Sequence, residues 1–340
     1  MSNSRVDIII PVYNVAPFLR RCLDSVRKQT YKHWRAICVD DGSTDGSAAI
    51  LDEYAANDAR FVVLHQENGG QSSARNKGIA MAEAEYVTFI DSDDFIHPQT
   101  LALSMKLIEC DGSDLVSWYK DSLYRNIQLK LLRKCRMDTI NARPWRIRMR
   151  YHTRMVRSYV TDDALKHISD WRHPKQKHSI KHCYVWCILV KRSLIKDIKF
   201  IEGIKYEDVP WWSELFLKPV KATITHLPLY YYYYNKRSTT KAIEDVSRLI
   251  FLLKGLYYAH ELYERNGDEE RMELWSHNLK WAILVRSVKT LRTMEGKSGV
   301  DVLKQDIVRL AKTTFFNDAT TPDEIAAKDA FFAVAKQCEA

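Results

Sequence analysis

The sequence predicts an α/β protein with a doubly wound, mostly parallel sheet and a helical extension at its C-terminal end. Short apolar runs alternate with stretches whose apolar residues recur at helical spacing, and this alternation favours a parallel sheet covered by helices on both faces. The predicted strands are residues 6–12, 34–39, 61–65, 86–90, 114–118 and 222–234. The predicted helices are residues 16–29, 47–56, 72–82 and 98–109, and helical periodicity returns from residue 241 to the end.

The positive charge of the chain is concentrated in one block. The net charge is +9, yet residues 120–181 alone hold 17 Lys or Arg against 5 Asp or Glu, a balance of +12. Trp145, Tyr151, Tyr159 and Trp171 are interleaved with these cations. The block therefore suggests an anionic partner, which could be nucleic acid, a phospholipid surface or a diphosphate-bearing substrate. A solvated cationic face without a partner is the alternative.

The cellular compartment is predicted from the spacing of the cysteines and from the length of the apolar runs. The seven cysteines are scattered, and Cys183 and Cys187 lack a second pair at metal-binding spacing, so we expect reduced thiols in a cytoplasmic protein. We find no window that approaches the roughly 18 to 20 apolar residues of a membrane span, and the N-terminus does not resemble a secretory signal. The basic block further suggests peripheral contact of the protein with the anionic inner face of the cytoplasmic membrane.

The stretch YVTFIDSDDF, Tyr86 to Phe95, contains a buried strand that ends in three carboxylates. Alternation along the strand puts Asp91 and Asp93 on one side, and Asp94 follows. Carboxylates this close repel one another unless a cation lies beside them, and oxygen ligands suit Mg²⁺ or Mn²⁺. The alternative is an acidic turn that caps a helix beginning at Pro98.

Two further strand ends carry polar groups, and parallel strands bring their carboxyl ends to one edge of a sheet. The segment from Pro11 to Asn14 includes Tyr13, which can stack on a base, and Asp41 can accept a hydrogen bond from a ring N–H. The alternative for the segment Asp40-Asp41-Gly-Ser is a capping turn. The loop GGQSSARNKG adds Arg75 near the same edge, with a surface arginine as the alternative.

The motifs IIIPVYN, VDDGSTDGS, NGGQSSARNKG and YVTFIDSDDF, in this order, resemble the nucleotide-sugar half of family 2 inverting glycosyltransferases with the GT-A fold. The resemblance is dense over residues 5–118 and resumes over residues 184–240 with VWCILVKRSLIKDIKF, KYEDVPWW and PLYYYYYNKRS. It implies a nucleotide-sugar-binding half at 1–118, an acceptor-binding half with a basic insertion at 119–240, and a helical C-terminal region at 241–340.

The resemblance also implies roles for individual residues at the strand ends. Asp93 would ligate the Mg²⁺ or Mn²⁺ that bridges the two phosphates of the donor. The other implied contacts are with the nucleotide, whose base is usually uracil in this family. Tyr13, Asp41 and the backbone at Pro11 would contact the base. Asp91, with Ser92 beside it, would contact the ribose, and Arg75 would help to hold the nucleotide.

The acidic pair Glu207-Asp208 matches the family motif that includes the general base, which the resemblance assigns to Asp208. Trp211 and Trp212 follow and are aromatic surfaces of the kind that sugars pack against. The alternative for Glu207 and Asp208 is an N-cap for a helix over 209–217, and Glu207 in particular fits that role.

Three further positions are candidates for contact with the acceptor or the diphosphate. Trp186 precedes Cys187, where the family often has a polar residue, which puts an acceptor-side hydrogen bond in doubt. Lys236 or Arg237, after the tyrosine-rich run, could reach the diphosphate from a closing loop. An ordinary half-buried strand with a charged turn is the alternative for that region.

These observations predict an inverting, metal-dependent glycosyltransferase that moves a sugar from a nucleoside diphosphate, with UDP expected, to a glycan or lipid-linked acceptor of a bacterial surface polysaccharide. A nucleotidylyltransferase is the enzyme alternative, but PVYNVAPF lacks the glycine-rich phosphate loop that such enzymes usually carry after the first strand. A nucleic-acid-binding protein is the second alternative. It would leave the clustered acids unexplained, because they would repel phosphate, so no nucleic acid partner is expected.

Overall fold

The computed structural model describes residues 5–120, 158–161, 184–233, 254–255 and 258–269, with a few isolated positions beyond residue 303. Contacts divide these residues into two units. The first holds residues 5–120, 158–161, 184–202 and 218–233, and the second holds residues 203–217 and the described positions from residue 254 onward. Most of the predicted basic block, the pair Lys236 and Arg237, and most of the predicted helical tail lie outside the described residues.

The first unit is built on a nine-stranded sheet with the order β3-β2-β1-β4-β8-β6-β9-β5, and β7 pairs with β9. Its strands are β1 (Val6–Val12), β2 (Trp34–Asp41), β3 (Phe61–Gln66), β4 (Tyr86–Phe89), β5 (Phe95–Ile96), β6 (Leu115–Lys120), β7 (Ser158–Thr161), β8 (Ile188–Lys191) and β9 (Ala222–Tyr231).

The sheet is mostly parallel, as the sequence predicts. The strands β1 to β4 pair in parallel, and β6 pairs in parallel with β9. Between these groups lies β8, which is antiparallel to both β4 and β6, so the strands on its two sides share one direction. Six strands therefore run one way, while β5, β7 and β8 run the other.

The helices of the first unit are α1 (Ala16–Arg27), α2 (Ser47–Asn57), α3 (Gln71–Met81), α4 (Thr100–Asp111) and the short α5 (Arg192–Ile195), with a 3₁₀ turn at Val185–Cys187 before β8. The second unit contains α6 (Asp208–Phe216). From β1 to β6, the predicted boundaries lie within two residues of the observed ones.

The helix predicted to begin at Pro98 begins two residues later, and a strand that was not predicted precedes it. The two-residue strand β5 follows the acidic residues and pairs with β9, Phe95 opposite Tyr231. Pro98 lies in the turn after β5, and α4 begins at Thr100, whose N–H and hydroxyl both donate to the carbonyl of His97 at 2.9 and 2.8 Å. The acidic turn therefore leads into a strand and does not cap a helix.

Close packing of the helices on the central strands holds this sheet together. β1 is buried along its whole length because helices cover both of its faces. One face of α1 buries Leu19, Leu23 and Val26, each worth about 1.5–3 kcal/mol when fully removed from water. On α3, Gly78 lies so close to β1 that an added Cβ would be 2.4 Å from Cγ2 of Ile9. This contact sets the distance between helix and sheet.

The second unit packs α6 against the segment around residue 260. Tyr258 donates its hydroxyl to Oε1 of Glu214 at 2.6 Å, and Tyr263 donates to the carbonyl of Ser213 at 3.2 Å. Among the residues that are described in either unit, no helix combines the length and the apolar character needed to traverse a bilayer.

Candidate functional site

Three strand ends meet at one edge of the sheet, as the sequence predicts. Strand β1 lies between β2 and β4, all three in parallel, so the loops that follow them are neighbours. Tyr13 follows β1, Asp41 ends β2, and Asp91 follows β4 by two residues. In open α/β sheets, ligands bind in the crevice outside such strand ends.

The loop after β1 is fixed to the loop after β2 by the side chain of Asn14. Asn14 has a left-handed backbone, φ 50°, and its Oδ1 accepts the backbone N–H groups of Thr44 at 2.8 Å and Asp45 at 3.3 Å. Its own N–H donates to Oγ of Ser43 at 3.1 Å. Neighbouring Tyr13 remains 48% exposed beside these rigid loops, so a planar ligand can reach its ring. Pro11 is buried within β1.

Asp41 is a buried carboxylate with three hydrogen-bond donors. Its Oδ1 accepts from Nε2 of Gln66 at 2.6 Å and from the N–H of Gly69 at 2.8 Å, and its Oδ2 accepts from the N–H of Gly70 at 2.8 Å. These bonds fix the loop before α3. A carboxylate offers about four acceptor positions, so about one remains for a ligand N–H.

Asp40, next to Asp41, serves the turn itself, as the structural alternative predicts. Its Oδ1 accepts the N–H of Ser43 at 3.1 Å, and its Oδ2 lies 2.9 Å from Nδ1 of His65. Nε2 of His65 lies 3.1 Å from Asp52. The hydrogen bond to Asp40 raises the pKa of His65 above its usual value, with a further contribution from Asp52.

Arg75 is buried, so the alternative that it is a surface arginine is wrong. Its side chain is 2% exposed, and Nη2 donates to Oδ1 of Asp91 at 2.9 Å. Gln71 donates to the same oxygen at 3.1 Å. The guanidinium also lies 5.2 Å from the centroid of the Phe200 ring. Arg75 therefore orients Asp91 and compensates its charge.

The acidic turn, residues 91–94, is closed by the N–H of Asp94, which donates to the carbonyl of Asp91 at 2.9 Å. Asp94 is fully buried, and its carboxylate accepts from the hydroxyl of Tyr230 and from the N–H of Tyr233, both at 2.7 Å. Burial raises the pKa of Asp94 well above its usual value, and the neighbouring charges of Asp93 and Asp91 raise it further. Ser92 is buried within the turn.

Two residues that support this turn were missed at the sequence level. The hydroxyl of Tyr230 accepts the N–H of Asp91 at 3.2 Å, and Nη2 of Arg21 donates to the carbonyl of Asp93 at 2.6 Å. The tyrosine-rich run gave a signal for an ordered strand end, but five consecutive tyrosines do not reveal which hydroxyl meets the turn. Arg21 lies on a regular helix and gave no signal.

The donor chemistry of the turn fits a divalent ion that takes few protein ligands. Within the described part of the chain, no three His, Cys, Asp or Glu side chains are grouped as a metal site. Mg²⁺ usually keeps several waters and needs one or two carboxylates plus substrate phosphates. Asp91 and Asp93 are both half-buried at the strand-end edge, while Asp91 accepts from Arg75 and Asp94 accepts from Tyr230. The turn therefore offers carboxylates that suit such an ion, and the assignment of the ion to Asp93 stays a prediction.

Trp186 belongs to a stack of aromatic rings. Its ring lies 4.4 Å from that of Tyr184 and 4.3 Å from that of Tyr230, with interplanar angles of 14° and 23°. It is nearly fully buried, as is the following Cys187. In this structure Trp186 supports Tyr230, and its contact with an acceptor stays a prediction.

In the second unit, Glu207 and Asp208 begin α6. Glu207 is buried at the N-cap position, but its side chain makes no capping hydrogen bond, so the capping alternative is wrong for this residue. Asp208 is in the first turn, where the helix dipole favours a negative charge. Trp211 and Trp212 are 0% and 1% exposed, and the ring of Trp212 is stacked on that of Phe216 in the same helix. Their contact with a sugar stays a prediction.

Comparisons with known proteins agree with one another. A family model described as Glycosyl transferase family 2 matches residues 7–198, more than half of the chain. The uncharacterized glycosyltransferase EpsJ of Bacillus subtilis is 32% identical over 75% of this chain and 70% of its own length. The uncharacterized glycosyltransferase YibD of Escherichia coli is 30% identical over 71% of this chain and 64% of its own length. The chain thus spans less than two thirds of YibD.

Solved structures share the fold at lower identity. TarS of S. aureus, crystallised with UDP, is 16% identical with a TM-score of 0.62, over 98% of this chain and 90% of that one. The mannosyltransferase PcManGT of Pyrobaculum calidifontis, in complex with GDP-Man and Mn²⁺, is 15% identical with a TM-score of 0.53, over 98% and 87%. These likenesses confirm the predicted GT-A fold.

Proposed function

Because the chain belongs to glycosyl transferase family 2, we propose that it is an inverting, metal-dependent glycosyltransferase that uses a UDP-sugar donor. The acceptor in this proposal is a glycan or a lipid-linked intermediate of a bacterial surface polysaccharide. The single observation that carries it is the meeting of the exposed ring of Tyr13, the carboxylate of Asp41 and the acidic turn at one sheet edge. TarS, whose structure contains UDP, supports the choice of uridine.

In this proposal the base lies on Tyr13, beside the backbone at Pro11, and a ring N–H donates to Asp41. The fixed loop geometry favours binding, because the Asp41 carboxylate is already held by its three donors when the ligand arrives. Asp91, with Ser92 beside it, accepts hydrogen bonds from the hydroxyl groups of the ribose. Arg75 acts on the nucleotide through Asp91, since its guanidinium is buried against that carboxylate.

Mg²⁺ or Mn²⁺, held by Asp93 and the donor phosphates, would supply Lewis-acid stabilisation of the charge on the leaving diphosphate. The Mn²⁺ complex of PcManGT supports a divalent ion on this fold. The chain's own residues hold the turn in place and orient the nucleotide. We propose that Lys236, Arg237 and Trp186, with Trp211 and Trp212, serve the diphosphate and acceptor side.

Asp208 is the proposed general base, with Glu207 beside it. The acceptor hydroxyl transfers its proton to the carboxylate of Asp208 while its oxygen attacks the anomeric carbon, opposite the diphosphate. The C–O bond to the diphosphate breaks as the new glycosidic bond forms, so the configuration inverts. A general base contributes about 10² to 10⁴ in rate. We also propose that the basic block docks the enzyme on the anionic inner face of the cytoplasmic membrane.

The test is a panel of nucleotide sugars, assayed for UDP release with and without Mn²⁺. Asp208→Asn is expected to lower transfer by about 10²-fold or more and to leave UDP affinity unchanged, because the base acts only on the acceptor. Asp93→Ala is expected to abolish the Mn²⁺ dependence of UDP binding. Asp197→Asn, at an exposed position of the first unit, is the matched control. Retention of most activity in either site variant would contradict the assignment.

A further inference from the structure

We propose that Tyr230 and Arg21 are positioning residues, which fix the acidic turn so that the carboxylate of Asp93 is held ready for the metal ion. Neither residue needs to contact the metal or the substrate. The inference rests on the proposed function, because it takes Asp93 as the metal ligand. It extends that function to Arg21 on α1 and Tyr230 on β9, to which the sequence analysis assigned no role.

Tyr230 joins the two ends of the acidic turn through one oxygen atom. Its hydroxyl accepts the N–H of Asp91 at 3.2 Å and donates to Oδ2 of Asp94 at 2.7 Å. The residue is fully buried, and its ring is stacked at 4.3 Å on Trp186. The oxygen is thus in a fixed place, because the ring cannot tilt without disturbing the stack.

Asp94 completes this connection to β9. Its second carboxylate oxygen accepts the N–H of Tyr233 at 2.7 Å, and its own N–H donates to the carbonyl of Asp91 at 2.9 Å. Asp93 lies between the residues that are held in this way. Loss of the Tyr230 oxygen would leave a buried carboxylate and a backbone N–H each short of one partner, and the turn would have to shift to satisfy them.

Arg21, on α1, also holds the turn. Its Nη2 donates to the backbone carbonyl of Asp93 at 2.6 Å. The guanidinium lies 3.9 Å from the ring centroid of Tyr233 and 5.1 Å from that of Phe95. Because this hydrogen bond is made to the backbone of Asp93, the position of the Asp93 side chain depends directly on it.

Partners that orient a metal ligand typically affect metal affinity or activity by about 10- to 100-fold when they are removed. We therefore expect Tyr230→Phe, which deletes one oxygen and retains the ring stack, to weaken Mn²⁺ binding in the presence of UDP by about tenfold or more. Turnover at saturating Mn²⁺ should change much less, since the proposed base is elsewhere. A merely structural role would lower the melting temperature and leave Mn²⁺ affinity unchanged.

The experiment is a titration of the full chain with Mn²⁺ at fixed UDP, with unbound Mn²⁺ measured by its electron paramagnetic resonance signal and donor hydrolysis measured separately. Tyr54→Phe is the matched control, because the Tyr54 hydroxyl also donates to a carboxylate, Oδ1 of Asp24, at 2.7 Å. It lines a surface cavity of about 240 Å³ between α1 and α2, to which no predicted site residue contributes.

Arg21→Met is the second variant, with Arg20→Met, in an exposed ion pair with Glu53, as its control. It keeps the inference testable if Tyr230→Phe does not fold, since it removes the bond to the Asp93 carbonyl and retains an apolar stem against Tyr233. Weaker Mn²⁺ binding in Tyr230→Phe or Arg21→Met, but not in the controls, supports the inference.

Two other outcomes overturn it in distinguishable ways. Wild-type Mn²⁺ affinity in folded Tyr230→Phe and Arg21→Met, with lost affinity in Asp93→Asn, refutes the positioning role and leaves the proposed function intact. Failure of the wild-type protein to bind Mn²⁺ with UDP, or wild-type binding by Asp93→Asn, refutes the metal site and the positioning role together.

Discussion

Gly42, directly after Asp41, has a backbone conformation and surroundings that exclude a side chain. Its φ is 71°, in the left-handed region. A Cβ at this position would lie 2.9 Å from the backbone nitrogen of Asn68 and 3.3 Å from the carbonyl oxygen of Gln66. Both obstacles are backbone atoms, which cannot rotate away as a flexible side chain would. Gly42→Ala must therefore displace the loop whose N–H groups bind Asp41.

The expected cost of Gly42→Ala combines two contributions. The left-handed conformation costs an L-residue about 1–2 kcal/mol. Forcing a methyl group into a filled space costs about 1–3 kcal/mol more. We therefore expect the free energy of unfolding to fall by about 2–5 kcal/mol. UDP affinity should fall as well, because a shifted loop no longer donates from Gly69 and Gly70 to the Asp41 carboxylate.

Gly112→Ala separates the two contributions. Gly112, which follows α4, has a similar φ of 63°, and the nearest atom to an added Cβ is Nζ of Lys221 at 3.9 Å, an ordinary contact. This variant should lose only about 1–2 kcal/mol. Urea unfolding followed by circular dichroism gives both values, and calorimetry gives UDP affinity. Equal destabilisation of the two variants, or unchanged UDP affinity in Gly42→Ala, would refute this account of the loop.

Two further changes test the packing and the charge of the same unit. Gly78→Ala should lower the free energy of unfolding by about 1–3 kcal/mol despite a better helix propensity, because its Cβ would lie 2.4 Å from Ile9 Cγ2. Adding Ile9→Ala should recover part of this loss. Strictly additive effects of the two substitutions in urea unfolding would contradict the contact. His65 has its pKa raised by Asp40, so its contribution to stability is full below the unfolded pKa of 6.5 and is lost as pH rises through the folded pKa. His65→Gln should therefore be less stable than wild type by up to about 1 kcal/mol at acidic pH. The value is small because the imidazole is 47% exposed. The difference in stability should shrink at alkaline pH, and a difference that does not change with pH would rule out this ion pair.

Local sequence signals were sufficient for the parallel half of the sheet. Strands β1 to β4 are mostly apolar runs, and helices of ordinary length connect them, so a parallel sheet was expected. The insertion of β8 between β4 and β6 had no such signal, because it pairs residues remote in sequence, such as Thr88 with Leu189. The two-residue β5 is too short to show any periodicity.

The candidate site likewise has features that the local sequence predicts and features that depend on contacts between residues remote in the chain. Tyr13 and Asp41 follow short runs that predict their strands, so their common edge could be inferred. The burial of Arg75 could not be inferred, since its neighbours include Phe200, which comes from a distant loop. The support of the acidic turn by Tyr230 and Arg21 depends on contacts between elements far apart in the chain, and no residue spacing encodes them.

The acidic turn places three carboxylates in four residues, and neighbouring groups of the protein offset the repulsion between them. Asp91 is paired with the buried guanidinium of Arg75, and Asp94 is bonded to the hydroxyl of Tyr230 and to a backbone N–H. The turn can therefore keep its shape before an ion arrives, and its carboxylates have separate tasks. Substitution of Asp94 should then disturb folding first, because it leaves buried donors unpaired. Substitution of Asp93 should disturb the binding of the metal and the donor while the fold persists.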